Sequence, residues 1–293
     1  MTNMSSPYLV IGAAGTVGGR IVQQLAAHGE AVRAATRAPE RYEAADSVAP
    51  VRFDYVAPET YAPALEGARA VFMMAPADTQ AYGQLVPLLD AAADADVEHV
   101  VLMTAMGVDQ APPEVPLRRA EMHLQESPLA HTILRPNWFM QNVLTYWRGM
   151  IERNGVLRLP ADGAATSFID ARDIADVAVA ALTEAGHDSQ GYTLTGLEAF
   201  TYHEAAAILA DVWGVPIRYE PVSDEEALRI FTGAGLDEDY AGMLIGLFQN
   251  VKAGHAAPVT PTVEQVTGHA PRALRTFAED HAEVAPRRER PAG

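Results

Sequence analysis

Gly12, Gly15 and Gly18 stand three residues apart in the stretch Tyr8-Leu9-Val10-Ile11-Gly12-Ala13-Ala14-Gly15-Thr16-Val17-Gly18-Gly19. Glycine permits a tight turn and lets backbone N–H groups come close to a ligand. Ahead of the glycines, Tyr8 to Ile11 is a short apolar run of the kind that forms a buried strand. Behind them, Val17, Ile21, Val22 and Leu25 recur at helical spacing, and Gly29 supplies a stop. A glycine turn between strand and helix offers unpaired N–H groups and the positive end of a helix dipole, which is chemistry that holds phosphate. In this context the spacing points to a dinucleotide site, with Gly12, Ala14, Gly15, Thr16, Val17 and Gly18 around the phosphates. The plainer alternative is a strand-to-helix turn whose glycines serve packing alone.

Further candidates follow at the ends of later apolar runs. Ala31 to Arg37 reads as a second strand, and it ends in Thr36-Arg37. A fold selecting NAD places Asp or Glu there for the ribose 2′-hydroxyl. A hydroxyl and a guanidinium suit a 2′-phosphate instead, so NADPH/NADP+ is expected in preference to NADH. Val51 to Tyr55 reads as a third strand, with Asp54 and Tyr55 expected at the adenine. Ala70 to Pro76 is a fourth, ending in Ala75-Pro76, and Val97 to Met103 a fifth, running into Thr104-Ala105-Met106. Strands alternating with helices give a parallel sheet with right-handed crossovers. Ligands in such sheets bind beyond the carboxyl ends of the strands. Five expected strand ends thus converge on one crevice.

Beyond a helix over Leu117–Glu126 and a sixth strand ending at Pro136, the run Asn137 to Trp147 carries four aromatics in eleven residues and is expected to be helical. It is either a core helix or the wall of a ligand cavity. On the second reading, Met106, Trp138, Phe139, Asn142, Tyr146 and Phe168 touch the substrate. Asp170 and Asp173 stand at N-cap and N3 spacing before a helix over 171–183 and are read as structural. Thr201/Glu204 and Ser223/Glu226 read as capping boxes. The expected division is 7–155 for the nucleotide-binding core, 156–285 for remaining core elements and a small lobe, and 286–293 for a charged, disordered tail.

The 293-residue chain has 21 Lys and Arg against 38 Asp and Glu, a net charge of −17. That charge repels nucleic acid and anionic membranes, and no apolar run approaches a membrane span. There is no cysteine, hence no disulfide, no thiol nucleophile and no thiolate metal site. No signal core precedes the first strand. The expectation is a cytoplasmic protein, monomer or homodimer, acting on a small molecule without a metal.

The Gly12–Gly18 turn resembles that of NmrA-like proteins, an atypical branch of the short-chain dehydrogenase/reductase superfamily. So do Val32–Arg37, Leu134-Arg135-Pro136-Asn137-Trp138-Phe139-Met140-Gln141-Asn142, Phe168–Ile174, and Tyr192–Gly196 with Thr201–Glu204. Within that branch the chain is similar to bacterial relatives of ergot-alkaloid-type dehydrogenases and NAD(P)H-dependent quinone or azo-dye reductases, over about residues 7 to 282. The resemblance implies an α/β architecture: a Rossmann doubly wound parallel sheet, a small α+β C-terminal lobe and a substrate cleft between them. It also implies a nicotinamide near Thr104, Ala105, Pro136, Asn137 and Trp138.

The wider superfamily uses a Tyr-x-x-x-Lys pair, in which Lys lowers the tyrosine pKa. This chain's single lysine is Lys252, and Phe248 stands four residues before it, so no such pair exists. NmrA-like proteins often carry a basic residue and a Glu four apart on the helix over 117–126. Here those positions hold Leu117 and Glu121. Glu121, His123 and Tyr146 are the remaining candidate proton donors. The expected function is NADPH-dependent hydride transfer to a conjugated, quinone-like or iminium acceptor. An NADP(H) sensor without turnover, or a non-redox isomerase or cyclase retaining the cofactor, are the alternatives.

Overall fold

The structure, a computed structural model, describes residues 6–74 and 79–286. In chain order the first elements are β1 (Tyr8–Ile11), α1 (Gly18–Ala27), β2 (Val32–Thr36), β3 (Val48–Arg52), α2 (Tyr61–Leu65), β4 (Ala70–Met74), α3 (Thr79–Gly83) and α4 (Leu85–Asp94). Next come β5 (His99–Met103), α5 (Pro116–Glu126), β6 (Ala130–Pro136), α6 (Arg148–Asn154), β7 (Val156–Leu159) and β8 (Ala165–Thr166). The chain continues through α7 (Ala171–Thr183), β9 (Gln190–Leu194), β10 (Phe200–Thr201), α8 (Tyr202–Trp213) and β11 (Arg218–Pro221). It closes with α9 (Asp224–Gly233), α10 (Glu238–Lys252), α11 (Thr262–Thr267) and α12 (Leu274–Asp280).

The chain folds as two compact units, one of residues 1–136 and 174–193, the other of 137–173 and 194–293. The boundary expected at 155/156 therefore falls inside the second unit, between α6 and β7. Pro286, expected in the tail, is buried, and residues 287–293 lie outside the described residues.

The main sheet has seven strands in the order β3-β2-β1-β4-β5-β6-β9. Strands β1 to β6 pair in parallel, with Ile11 opposite Ala35 and Val10 opposite Phe72. Crossing from β1 outward in both directions creates the switch point at which such sheets bind ligands. Strands β1 and β4 are buried almost throughout because helices cover both faces, which is why they read as continuous apolar runs. In the first unit Ile11, Leu9, Val71, Leu102 and Ile133 pack with Leu65, Leu88, Leu89 and Leu124 of the helices in one apolar cluster.

Two departures from expectation have local causes. The helix expected over 79–95 breaks at Gln84, because Pro87 has no N–H and its ring conflicts with the carbonyl of Gly83. The third strand lies at 48–52 rather than 51–55, so Asp54 and Tyr55 follow the strand instead of ending it.

In the second unit β8 pairs antiparallel with β10, and β7 pairs parallel with β11. Its core gathers Trp147, Phe168, Tyr202, Tyr219, Phe231, Phe248 and Phe277. The aromatic run after β6 is not one helix. A 3-10 turn over Met140–Leu144 is followed by α6. The Thr201/Glu204 capping box forms on both sides, with Glu204 N–H on Thr201 Oγ1 at 3.2 Å and Thr201 N–H on Glu204 Oε2 at 2.8 Å. At Ser223 only half forms: Ser223 Oγ accepts from Glu226 N–H at 3.2 Å, while the Glu226 carboxylate pairs with Arg158. No helix among the described residues is long and apolar enough to cross a membrane.

Candidate functional site

The glycines of the first turn carry distinct tasks. Gly12 has φ +80°, a left-handed conformation that side chains resist. Its carbonyl accepts the N–H of Gly15 at 2.8 Å and closes the turn. Gly18 lies against the same carbonyl so closely that a Cβ would sit 2.3 Å from Gly12 O. At Gly15 the Cβ would sit 3.1 Å from that oxygen. Val17 is fully buried and anchors the turn, while Ala14, Gly15 and Thr16 are exposed. Helix α1 begins without a side-chain cap and without an acidic residue in its first turn. The N–H groups of Thr16 and Val17 have no partner among the described residues. An unpaired donor at exposed Thr16 and an uncompensated positive dipole end are features that favour a bound anion.

The parallel register ends with Ile11 opposite Ala35, so Thr36 and Arg37 follow directly at the carboxyl end of β2 as Gly12 does at that of β1. Thr36 Oγ1 accepts the N–H of Ala38 at 3.3 Å. Arg37 is exposed and has no ion pair among the described residues. After β3, Thr60 braces the loop: its Oγ1 accepts the N–H of Asp54 at 3.0 Å. Asp54 is half-buried, and its Oδ1 accepts Val56 N–H at 3.2 Å. Tyr55 differs from expectation. Its ring is buried, edge-on to Phe53 at 5.0 Å, and its hydroxyl donates to the carbonyl of Met74 rather than standing free for an adenine. Burial pushes its pKa far up, with Tyr61 adding to the effect. Ala75 and Pro76 lie outside the described residues.

At the end of β5, Thr104 N–H bonds Leu134 O at 2.9 Å and Met106 N–H bonds Pro136 O at 3.0 Å. Thr104 and Pro136 are buried, Ala105 and Met106 half-buried. Glu121 does not look onto an open cleft. It is 0% exposed and clamped by Arg135, whose Nε reaches Oε1 at 2.9 Å and Nη2 reaches Oε2 at 2.8 Å. The base beside it on α5 is Arg118, three residues away at 3.3 Å, rather than a residue at Leu117. This network was not among the expected features. Its signal was an arginine inside an apolar strand, Ile133-Leu134-Arg135-Pro136, since a buried guanidinium requires a carboxylate. His123 faces α4, with Nε2 2.6 Å from Asp90 Oδ1.

The remaining expected residues belong to the second unit. Asn137 is 5% exposed and fully engaged: Nδ2 donates to Ser167 Oγ and Ala256 O, both at 2.8 Å, and Oδ1 accepts Trp138 N–H at 2.9 Å. It ties the stretch after β6 to the segment after α10, a structural task that the cofactor expectation did not include. Trp138 is half-buried and packs on Phe248 with centroids 4.6 Å apart. Phe168 is buried edge-on to Tyr202 at 5.2 Å, which is a core position. Phe139 and Asn142 are half-buried; Tyr146 is 67% exposed. Lys252 pairs with Asp224 at 2.6 Å.

A doubly wound parallel sheet whose first turn is built of glycines at a helix N-terminus defines a dinucleotide-binding Rossmann protein. Residues 12–185 match the family model described as NAD(P)H-binding. An NAD(P)H azoreductase of Xenophilus azovorans is 35% identical over 282 residues, covering 94% of this chain and 97% of the relative. A (4-alkanoyl-5-oxo-2,5-dihydrofuran-3-yl)methyl phosphate reductase of Streptomyces griseus is 34% identical, covering 94% and 98%. Among solved structures, an NADPH-dependent quinone oxidoreductase from Escherichia coli complexed with NADPH superimposes with a TM-score of 0.82 at 22% identity, over 93% of this chain and 99% of that one. The chain belongs to the NAD(P)H-binding family and is an NAD(P)H-dependent oxidoreductase of that family.

Proposed function

We propose that the protein transfers hydride from NADPH to a small, flat, already activated acceptor, of the conjugated, quinone-like or iminium kind. The observation that carries this reading is the state of the candidate proton donors. Glu121 is locked between two arginines, His123 is held by Asp90, Lys252 by Asp224, and Tyr146 stands out on the surface. A ketone needs a positioned acid for its nascent alkoxide. An iminium ion needs hydride alone, and a quinone takes its proton from water. The protein then supplies cofactor binding and orientation, and the cofactor supplies the hydride. The two relatives' named reactions, reduction of azo compounds and of an unsaturated furanone, are of this activated kind.

The preference for NADPH rests on Arg37, an exposed guanidinium beside the phosphate turn with no partner of its own among the described residues. The Thr16 N–H, on the exposed part of the turn, would hold the pyrophosphate. The test is NADPH oxidation followed optically with a panel of quinones, azo dyes and simple ketones. Turnover is expected with the first two classes and not with the ketones. Comparable rates with simple ketones would overturn the reading.

A further inference from the structure

Thr104 closes β5 at the carboxyl edge of the sheet, and its hydroxyl is committed. A threonine hydroxyl has one proton to give. Thr104 Oγ1 gives it to Glu121 Oε1 at 2.6 Å. That carboxylate is withdrawn from water and draws three more donors, Arg135 Nε and Nη2 and Arg118 Nη1. Arg135 also has Asp109 4.0 Å away. The fold makes room for the clamp: at Gly191 on β9 a Cβ would lie 2.8 Å from Arg135 Nη1. Turning the Thr104 proton elsewhere would take one of the two donors on Oε1 and leave Arg135 Nε alone there, with no water to replace the loss. Any further partner of Thr104 Oγ1 must therefore be a donor, and Thr104 accepts.

We propose that Glu121 is a positioning residue that fixes the Thr104 hydroxyl as the hydrogen-bond acceptor for the carboxamide N–H of the cofactor's nicotinamide. This rests on the proposed cofactor site: with the 2′-phosphate at the end of β2 and the pyrophosphate at that of β1, the strand order β2-β1-β4-β5 directs the nicotinamide end toward β5. The carboxamide is the one group on that ring that donates a hydrogen bond, so an acceptor at this strand end orients the ring. It follows that Thr104 does not supply the proton that completes reduction.

The experiment uses the full chain and two dinucleotides, NADPH and its 3-acetylpyridine analogue, in which an acetyl group replaces the carboxamide and no N–H remains. Dissociation constants are measured by calorimetry. The wild-type protein should bind NADPH about tenfold more tightly than the reduced analogue, the worth of roughly one hydrogen bond. Thr104→Ser should keep that preference and Thr104→Val should bring the ratio to about one. Glu121→Gln should lower it as well, whereas a merely structural role for Glu121 would weaken both dinucleotides alike. A folded Thr104→Val protein that still prefers NADPH tenfold, or a wild type with no preference, overturns the proposal alone. Failure of the wild type to bind either dinucleotide overturns the cofactor reading and the proposal with it.

Discussion

In the proposed reading, cofactor choice turns on Arg37. A charge-assisted hydrogen bond is worth about 1.5–3 kcal/mol. Arg37→Ala should weaken NADPH by roughly 10- to 100-fold and leave NADH nearly unchanged. Equal loss for both cofactors, measured by titration, would show that Arg37 does not meet the 2′-phosphate. The glycines grade themselves by distance. At Gly18 the missing Cβ would fall 2.3 Å from a backbone oxygen, so Gly18→Ala should lower the melting temperature as well as cofactor affinity. Gly15 is exposed and its Cβ would sit at 3.1 Å, so Gly15→Val should fold and lose cofactor. Wild-type affinity in Gly15→Val would mean that the phosphates lie elsewhere. For proton donors, loss of a real general acid costs about 10²–10⁴-fold. His123→Ala, Lys252→Ala and Tyr146→Phe should each lose about tenfold or less in kcat. A hundredfold fall in Tyr146→Phe with NADPH binding intact would make that tyrosine the acid.

The elements add a pH dependence whose sign follows from their caps and ends. Asp170 caps α7, accepting Arg172 N–H at 2.9 Å and the Arg172 guanidinium at 2.6 Å, with Gln141 at 2.8 Å. Burial alone would raise its pKa, but the hydrogen bonds from Arg172, its charge and Gln141 together hold the carboxyl below its usual 3.8. A depressed carboxylate pKa stabilises the fold above the unfolded value, and that contribution disappears as pH falls below about 3.8 toward the folded value. Asp170→Asn keeps an N-cap acceptor but removes the charge that faces Arg172, so it should cost about 1.5–3 kcal/mol at neutral pH, the range of a hydrogen bond to a charged group, and flatten the acid limb of a urea-midpoint profile. An unchanged profile would place the acid sensitivity elsewhere. His99, at the start of β5, donates to or accepts from Thr132 Oγ1 at 3.0 Å, and Thr132 in turn donates to His187 O at 2.7 Å. Because the single Thr132 proton is used on His187, His99 Nε2 carries the hydrogen. Burial holds the His99 pKa below 6.5 against the pull of Asp188, and His131 and His187 push the same way as burial. Here the unfolded chain binds the proton more readily, so stability is whole above pH 6.5 and erodes as pH falls through it. His99→Asn should remove part of the loss between pH 7 and 5.5, read from the same urea midpoints.

For the whole molecule, a ligand that binds only the folded state stabilises it by mass action. At a hundredfold excess over Kd this amounts to about 2.7 kcal/mol. NADPH at that excess should raise the melting temperature by several degrees. In Arg37→Ala the same NADPH concentration should raise it less, while the shift given by NADH stays as in the wild type. With a net charge of −17, an anionic ligand meets general repulsion, so in the proposed reading affinity depends on the local turn rather than on the field of the whole chain.

The parallel sheet, the glycine turn and the capping box at Thr201 were legible in the sequence because each is a local matter. Apolar runs set strands, 3.6-residue spacing sets α1 and α7, and the glycines mark a turn that only they can take. The third strand was displaced because Val48–Arg52 is an edge strand whose residues are largely exposed, so hydrophobicity marks it poorly. The roles of Tyr55, Asn137 and Glu121 were decided by tertiary structure. Each depends on a partner far along the chain: Met74 for Tyr55, Ala256 for Asn137, Arg135 for Glu121. A side chain's type states which hydrogen bonds it can make. Only the packed fold, by excluding water from some of those atoms and not others, decides which bonds it must make and which remain open to a ligand.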